Sequence, residues 1–356
     1  MNSIPIFSRN FRPQRGMSLL EILIAMSLSL ILMAGVFHIL SSSKRTYGLQ
    51  AELAGLQENA RFLVDEMSFN LRMGGYFGCS GSPPVGMTRQ PFVNSTDGQQ
   101  PATKLRIATK DNQGNYLLKT TQLAKNVPGS DILSLSFLGK PIELPPGWNQ
   151  TTITKEFSKT TNVIAFDPNE SSEIPAAGES IVISDCGGSD IYKVQAVNVG
   201  AATITLQQTL QRPYRWPVEI FNSATPTRYQ VVALDKNGDG DAEDSDDGFG
   251  LFKFSSDAPN GELFIEGVEN MQLRYGVDTD GDGAANRYDS LPTAGNVVSV
   301  RITLLMRTAN RRYDIYEAQN TDFELDTDLI YNPSTRKFEI GYRHRLFSTV
   351  IQVRNS

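Results

Sequence analysis

The sequence predicts an α+β chain in which one long N-terminal helix carries a large β-rich head. Three observations predict it. Residues 17–40, "MSLLEILIAMSLSLILMAGVFHIL", are 24 in number, and 18 of them are apolar. Leu49, Leu53, Leu56, Ala60, Leu63, Met67 and Leu71 then recur at spacings of three and four, one apolar stripe on a continuing helix. Beyond Gly75 the pattern changes to short runs of β-branched and aromatic residues separated by Gly, Pro, Asn and Asp.

Taken in order, the first element is long enough to cross a bilayer. At 1.5 Å per residue its apolar run covers about 36 Å, against a hydrocarbon core of roughly 30 Å. Arg9, Arg12 and Arg15 precede it without an acid, which keeps that end cytoplasmic and sends the rest outward. After Ser41–Ser43 the helix becomes amphipathic, with Glu52, Gln57, Arg61, Asp65 and Arg72 on its other faces, and Gly74–Gly75 mark its stop. From Met17 to Met73 such a helix reaches about 85 Å. The expected organisation is therefore residues 1–16 as a basic leader, 17–73 as the helix (17–40 apolar, 41–73 amphipathic) and 74–356 as the head.

Strands are expected in the head at 104–109, 132–138, 180–184, 192–197, 202–207, 229–234, 251–254, 271–277, 297–306 and 346–353. Between Val298 and Met306 the apolar residues alternate with Ser299, Arg301 and Thr303, which reads as a strand buried on one face. The head forms one lobe or two, with no boundary legible in the sequence.

Charge and composition narrow the chemistry. The net charge is -6, and the first 16 residues contribute +3, so the remainder carries -9. Residues 235–247 supply -6 of it and residues 278–289 supply -3, which leaves the rest near neutral. No basic stripe interleaved with aromatics supports nucleic-acid binding. With only His38 and His344, and only Cys79 and Cys186, a centre built on several His or Cys ligands lacks the residues. An even cysteine pair beyond a membrane segment reads as one disulfide, Cys79–Cys186, the alternative being two buried thiols. It would close a loop of about 100 residues, for which chain entropy gives about 4.7 kcal/mol at most.

The two acidic stretches share one grammar. Asp235, Asn237, Asp239, Asp241, Glu243 and Asp246 stand at positions one, three, five, seven, nine and twelve, with Gly240 at six. Asp278, Asp280, Asp282, Asn286 and Asp289 stand at one, three, five, nine and twelve, with Gly283 at six. This is the ligand order of an EF-hand calcium loop, in which glycine permits the turn that converges oxygens on a hard cation. Position twelve is aspartate in both, where the longer glutamate is usual. The flanks read as strands, so these are expected to be calcium loops carried between strands, one or two sites for Ca2+. The competing reading is two acidic, solvated turns.

Glu21 interrupts the apolar run near its start. An ordinary signal peptide cut near "LMAG" (32–35) leaves it unexplained, and a plain anchor needs it to reach back to the interface. A third reading accounts for more. A basic leader ending at Gly16, an apolar Met17 and a carboxylate at the fifth position, Glu21, resemble the class III signal of type IV pilins and pseudopilins. The resemblance implies that a prepilin peptidase cuts after Gly16 and methylates the new amine of Met17. It also implies that Glu21 acts in filament assembly, pairing with the N-terminal ammonium of a neighbouring subunit. A carboxylate in apolar surroundings is costly alone and tolerable when paired. Two features depart from the pattern. Met17 stands where phenylalanine is commoner, and His38 stands near where many pilins have a kinking proline.

Further along, "EGVENMQLRYGVDTDGDG" (266–283), "VVSVRITLLMRT" (297–308) and "RHRLFSTVIQVRN" (343–355) resemble PilW-type minor pilins. That resemblance implies a pilin-like fold and a structural role, not an enzyme. The subunit would join other minor and major pilins on the inner-membrane assembly platform, help initiate pilus assembly, and remain at the tip, where it can support an adhesin. Its head would be periplasmic first and then at the cell surface. A type II secretion pseudopilin is the nearest alternative. A membrane-anchored periplasmic hydrolase using calcium is the distant one, and no nucleophile motif supports it.

Overall fold

The structure is a computed structural model. It describes residues 17–73, 78–79, 105–111, 113–124, 129–135, 141–145, 160–169, 174–215, 217–222, 227–240, 242, 247–255, 258–290, 296–308, 311–312, 321–326, 329–331 and 341–353. Two compact units divide the chain, one ending at Glu52 and the other beginning at Leu53.

The helix α1 spans Leu19–Met73 and contributes to both units. Ser18 starts it: its hydroxyl accepts the Leu20 N–H at 3.3 Å and its carbonyl accepts those of Glu21 and Ile22. Glu21 lies in the first turn, where a negative charge complements the helix dipole. Serines inside the apolar run hide their hydroxyls on the helix itself, Ser27 donating to the Ile24 carbonyl at 2.9 Å and Ser29 to that of Ala25 at 2.7 Å. An 18-residue window of this segment has mean hydropathy 2.4, with none of it buried inside the protein. The expected Gly74–Gly75 stop lies outside the described residues.

In the second unit α1 buries Leu56, Ala60, Leu63, Met67 and Leu71, while Leu53 is half-buried. Two sheets close on that stripe. The first contains β1 (Leu105–Lys110), β2 (Tyr116–Ala124) and β3 (Leu133–Leu135), together with β9 (Thr227–Asp235), β10 (Gly248–Phe254) and β11 (Glu262–Glu266). Its order is β11-β10-β9-β1-β2, with β3 also on β9, and only the β1–β9 pair is parallel. The second contains β12 (Val268–Asp278), β13 (Arg287–Asp289), β14 (Asn296–Arg307) and β17 (His344–Gln352), antiparallel in the order β13-β12-β14-β17. Their inner faces and the helix stripe form one core, in which Leu63 and Met67 join Tyr229, Val231, Phe249, Met271, Leu273, Val300, Ile302 and Leu304.

A second core lies within a third sheet, built from β4 (Val163–Ala165), β5 (Ser180–Asp185), β6 (Gly188–Asn198), β7 (Thr203–Leu206) and β8 (Val218–Asn222). Its order is β4-β7-β6-β5-β8. This lobe is an insertion. The chain leaves the first sheet after β3 and returns at β9, and the last residue of one, Leu135, pairs directly with the first of the other, Thr227.

The strand β14 differs from its expected pattern. Val300, Ile302, Leu304 and Met306 face the main core as the alternation predicts. Leu305 on the opposite face is buried as well, because the hairpin of β15 (Phe323–Asp326) and β16 (Leu329–Tyr331) covers that end with Phe323, Leu325 and Tyr331. Beneath the same hairpin His344 Nε2 lies 3.0 Å from the Glu269 carboxylate, which also accepts the Tyr331 hydroxyl, all three almost fully buried. Along β14, Asn296 at the start and Arg301 and Thr303 in the middle keep contact with water.

A polar lock fixes the helix in register. Asn70, buried in the helix face, donates to the Tyr229 hydroxyl at 2.7 Å and to Glu66 at 3.0 Å, and Glu66 takes Lys253 at 2.8 Å. The Lys253 hydrogen bond, aided by Asn70 and Tyr229, holds the Glu66 carboxyl below its ordinary value against the opposing effect of burial. A depressed carboxyl contributes stability above its unfolded pKa and loses it as pH falls through the folded value. Glu66→Gln is therefore expected to cost about 1 kcal/mol at pH 7, and the two proteins should converge in stability as pH drops below about 4. Urea unfolding between pH 3 and pH 7 checks this; a constant difference across that range refutes it.

Candidate functional site

Both acidic stretches are hairpin connections. The first leaves β9 and enters β10; the second leaves β12 and enters β13. Each begins on the last residue of a strand, and each folds around that first aspartate in the same way. Asp235 accepts the Gly238 N–H at 2.6 Å and the Gly240 N–H at 3.1 Å. Asp278 accepts the Gly281 N–H at 2.6 Å and the Gly283 N–H at 2.9 Å. One carboxylate oxygen thus binds position four and the other binds position six, in both loops. All four glycines have positive φ, between 81° and 99°. Sequence reasoning singled out the glycine at position six and missed its twin at position four. The signal was present in the repeated "GDG".

In the second loop the carboxylates converge. Ligand oxygens of Asp278, Asp280 and Asp282 all lie within 4.8 Å of one another. Oxygens bound to one hard cation at 2.3–2.6 Å can be separated by at most about 5 Å, so the spacing and the all-oxygen donor set fit Ca2+. Hydrogen bonds from the Gly281 and Gly283 amides hold the Asp278 carboxyl below the usual carboxylate range, in the charged form a cation needs. Asn286 stands beside the cluster. Its side-chain oxygen accepts the Thr279 N–H at 2.7 Å, and its amide donates to Asp280 at 3.2 Å. Asp289, already on β13, instead pairs with Arg287 at 2.9 Å.

The first loop is more deeply set. Asp235 is fully buried and also accepts the Thr109 hydroxyl from β1 at 3.3 Å. Asn237 caps Asp239, accepting its N–H at 2.9 Å. At the exit, Asp247 accepts the Lys236 N–H at 3.1 Å, and its carbonyl accepts Arg307 at 2.8 Å. Asp241, Glu243 and Asp246 lie outside the described residues.

Cys79 and Cys186 form a disulfide across 107 residues. Cys186 sits in the turn between β5 and β6, which Arg212 clamps by bonding Asp185 and Asp190, each at 2.8 Å. The Cys79 N–H donates to Glu219 on β8 at 3.0 Å. Gly78 has positive φ, and a side chain there would overlap Ser184 and Glu219. The disulfide therefore ties the chain just beyond α1 to the inserted lobe. In the first unit, Met17 and Glu21 are exposed, and Gly16 lies outside the described residues.

Residues 248–355 match the model of the Type IV Pilus-assembly protein W family, and residues 11–37 match the prokaryotic N-terminal methylation motif. The first match runs from β10 through β17 and includes the second acidic loop; the inserted lobe lies outside both. No curated protein matches the chain.

The glycines of the second loop generate a test. Nothing lies within 4 Å of a side-chain carbon added at Gly283, so Gly283→Ala should cost only the backbone strain of φ +83°, about 1 kcal/mol. Gly276, under the ring of Tyr288, has ordinary φ, but an added carbon would meet Ala285 at 2.8 Å and Tyr288 at 3.1 Å. Gly276→Ala should therefore cost more than Gly283→Ala in urea unfolding. The reverse order would refute this account of the loop.

Proposed function

We propose, from the premise that this chain is a type IV pilus minor pilin of the PilW kind made as a prepilin, that it acts in the complex that initiates pilus assembly and remains at the pilus tip. The observation that carries the reading is the start of α1. The exposed apolar part of α1 begins two residues beyond Met17, and Glu21, the one acid among residues 17–40, lies in the first turn. Cleavage after Gly16 puts a new amine within one helical turn of that carboxylate. In a filament the carboxylate of one subunit can meet the ammonium of the next, so each neutralises a charge that is costly among apolar helices.

The apolar half of α1 anchors the subunit in the membrane before assembly and associates it with other pilus components afterwards. On this reading the partners are other minor and major pilins, the inner-membrane assembly platform and an adhesin carried at the tip, with the head periplasmic and then extracellular. The match to a pilus-assembly family over β10 to β17 favours a pilus over a secretion pseudopilus.

Calcium belongs to the same proposal. Asp278, Asp280 and Asp282 would hold it in the second loop, and Asp235, Asn237 and Asp239 are the described candidates in the first. A bound divalent cation supplies positive charge where three carboxylates crowd, and so braces the hairpin that joins β12 to β13.

Two measurements test the proposal. The mass of the mature N-terminal peptide should correspond to a chain starting at Met17 with one added methyl group, and Gly16→Ala should block the cut. A chain starting at Met1, or cut after residue 35, would sink the pilin reading. Calcium at a hundredfold excess over its dissociation constant should stabilise the protein by about 2.7 kcal/mol per site. Asp280→Asn combined with Asp282→Asn should remove one site's calorimetric heat. An unchanged melting temperature with calcium would eliminate the bracing role.

A further inference from the structure

The polar contacts that fix α1 on the first sheet also assemble the parts of a covalent bond. Glu66 and Asn70 stand one turn apart on the same face of α1, and Lys253 reaches them from β10. One oxygen, Oε1 of Glu66, accepts both the Lys253 ammonium at 2.8 Å and the Asn70 side-chain amide at 3.0 Å. Two donors on one acceptor atom bring the amine nitrogen of Lys253 within about 6 Å of the amide nitrogen of Asn70. The Tyr229 hydroxyl, 2.7 Å from the same amide, fixes it from the other side.

The surroundings suit chemistry between these groups. Asn70 and Tyr229 are buried, while Lys253 and Glu66 are half-buried at the rim. The Phe264 ring lies 5.4 Å from the Lys253 nitrogen, with the rings of Tyr229 and Phe62 at 6.1 Å and 5.6 Å from it. Aromatic walls lower the local dielectric, which reduces the cost of turning an ammonium–carboxylate pair into a neutral amine and a neutral acid. A neutral lysine amine is a nucleophile, and an amide held beside it is an electrophile. Fixed proximity makes their reaction unimolecular, where free amine and amide would not react measurably. The Lys253 hydrogen bond that holds Glu66 below its ordinary value makes the charged pair the resting state, so reaction is slow and follows folding.

We infer that Lys253 and Asn70 couple through an isopeptide bond, with Glu66 as the catalytic base and acid. Glu66 takes a proton from the Lys253 ammonium, and the freed Nζ attacks Cγ of Asn70. The Cγ–Nδ2 bond breaks, Glu66 returns its proton to the departing nitrogen, and an ammonium ion leaves. One ammonium side chain and one primary amide thus become one secondary amide and free ammonium, with no oxidant or reductant consumed. Nζ has to swing from Oε1 to the neighbouring carbon, a motion its flexible four-carbon stem permits, and the half-exposed rim gives the ammonium ion a way out. The structure holds the three side chains before this step, and the pH dependence expected for Glu66→Gln belongs to that freshly folded chain. Once formed, the bond ties the helix that carries the subunit to the sheet that carries the head, so that slipping α1 along its stripe requires breaking a covalent link. Coupling at this site does not depend on calcium or on entry into a pilus.

The test is tryptic mapping of the full chain, kept folded in detergent at neutral pH for several days, then denatured, reduced and alkylated. Coupling removes the cleavage site at Lys253, so residues 62–72 should appear joined to residues 237–274 in one branched peptide. It should be lighter than its two parts by one ammonia, about 17 Da. Loss of ammonia alone does not suffice, because Asn237–Gly238 and Asn260–Gly261 can close on their own backbone with the same loss. Lys253→Arg keeps a cation on Glu66 without a nucleophilic amine, and the branched peptide should vanish. Glu66→Gln should slow its appearance about a hundredfold. Recovery of residues 62–72 only as a linear peptide from the aged wild type would overturn the inference, as would the same branched mass in Lys253→Arg. The wild-type map decides the matter even if a variant fails to fold.

Discussion

The apolar stripe of α1 holds the head together because two sheets close on it from different directions. Leu56, Ala60, Leu63, Met67 and Leu71 are all at most 5% exposed, and the strands that bury them, β9, β10, β12 and β14, come from both sheets. Removing that much apolar surface from water is the main favourable contribution to folding of the head, at roughly 25 cal/mol per Å2. It is not directional, though, and would tolerate a helix slipped along or rotated about its axis. The Asn70–Tyr229 and Glu66–Lys253 contacts supply direction, since a buried amide or an ion pair left without its partner is costly.

The inserted lobe follows from the same constraint. The helix and two sheets already form a closed core, so a further 90 or so residues between β3 and β9 need a core of their own. They obtain it around Ile181, Ile183, Tyr192, Val194 and Ile220. Because Leu135 and Thr227 are a strand pair, the lobe enters and leaves at adjacent points, and the first sheet continues as though uninterrupted. Two neighbouring tethers alone would leave the lobe free to swing. The Cys79–Cys186 bond adds a third, far from the other two in sequence, and Arg212 stiffens the turn that carries it.

The two acidic loops show one local solution used twice at hairpin ends. In each, a strand's last aspartate turns its carboxylate onto the amides at positions four and six, and glycines accept the positive φ this requires. They differ in what surrounds them. Asp235 is tied into β1 through Thr109, whereas the carboxylates of the second loop are turned toward one another near water. The strand β14 joins their neighbourhoods: Asn296 at one end pairs with Asp278, and Arg307 at the other donates to the Asp247 carbonyl.

Sequence alone determined the features set by short-range periodicity and spacing. The helix and its stripe, the strands β9, β12, β14 and β17, the carboxylate grammar of the loops and the signal around Gly16, Met17 and Glu21 each lie within a few turns or residues of one another. Side-chain period and turn chemistry act at that range. The short strands β4, β13, β15 and β16 were not legible, because three or four residues carry no period and pair only where a neighbour presents an edge. Nor was the lobe boundary, which depends on Leu135 meeting Thr227 across 92 residues of chain. The two-sided burial of β14 and the stacking of Arg301 on Tyr288 were likewise decided by tertiary structure. A side chain's neighbours across a sheet or beneath a covering hairpin come from distant segments, and no local pattern records which segments fold together.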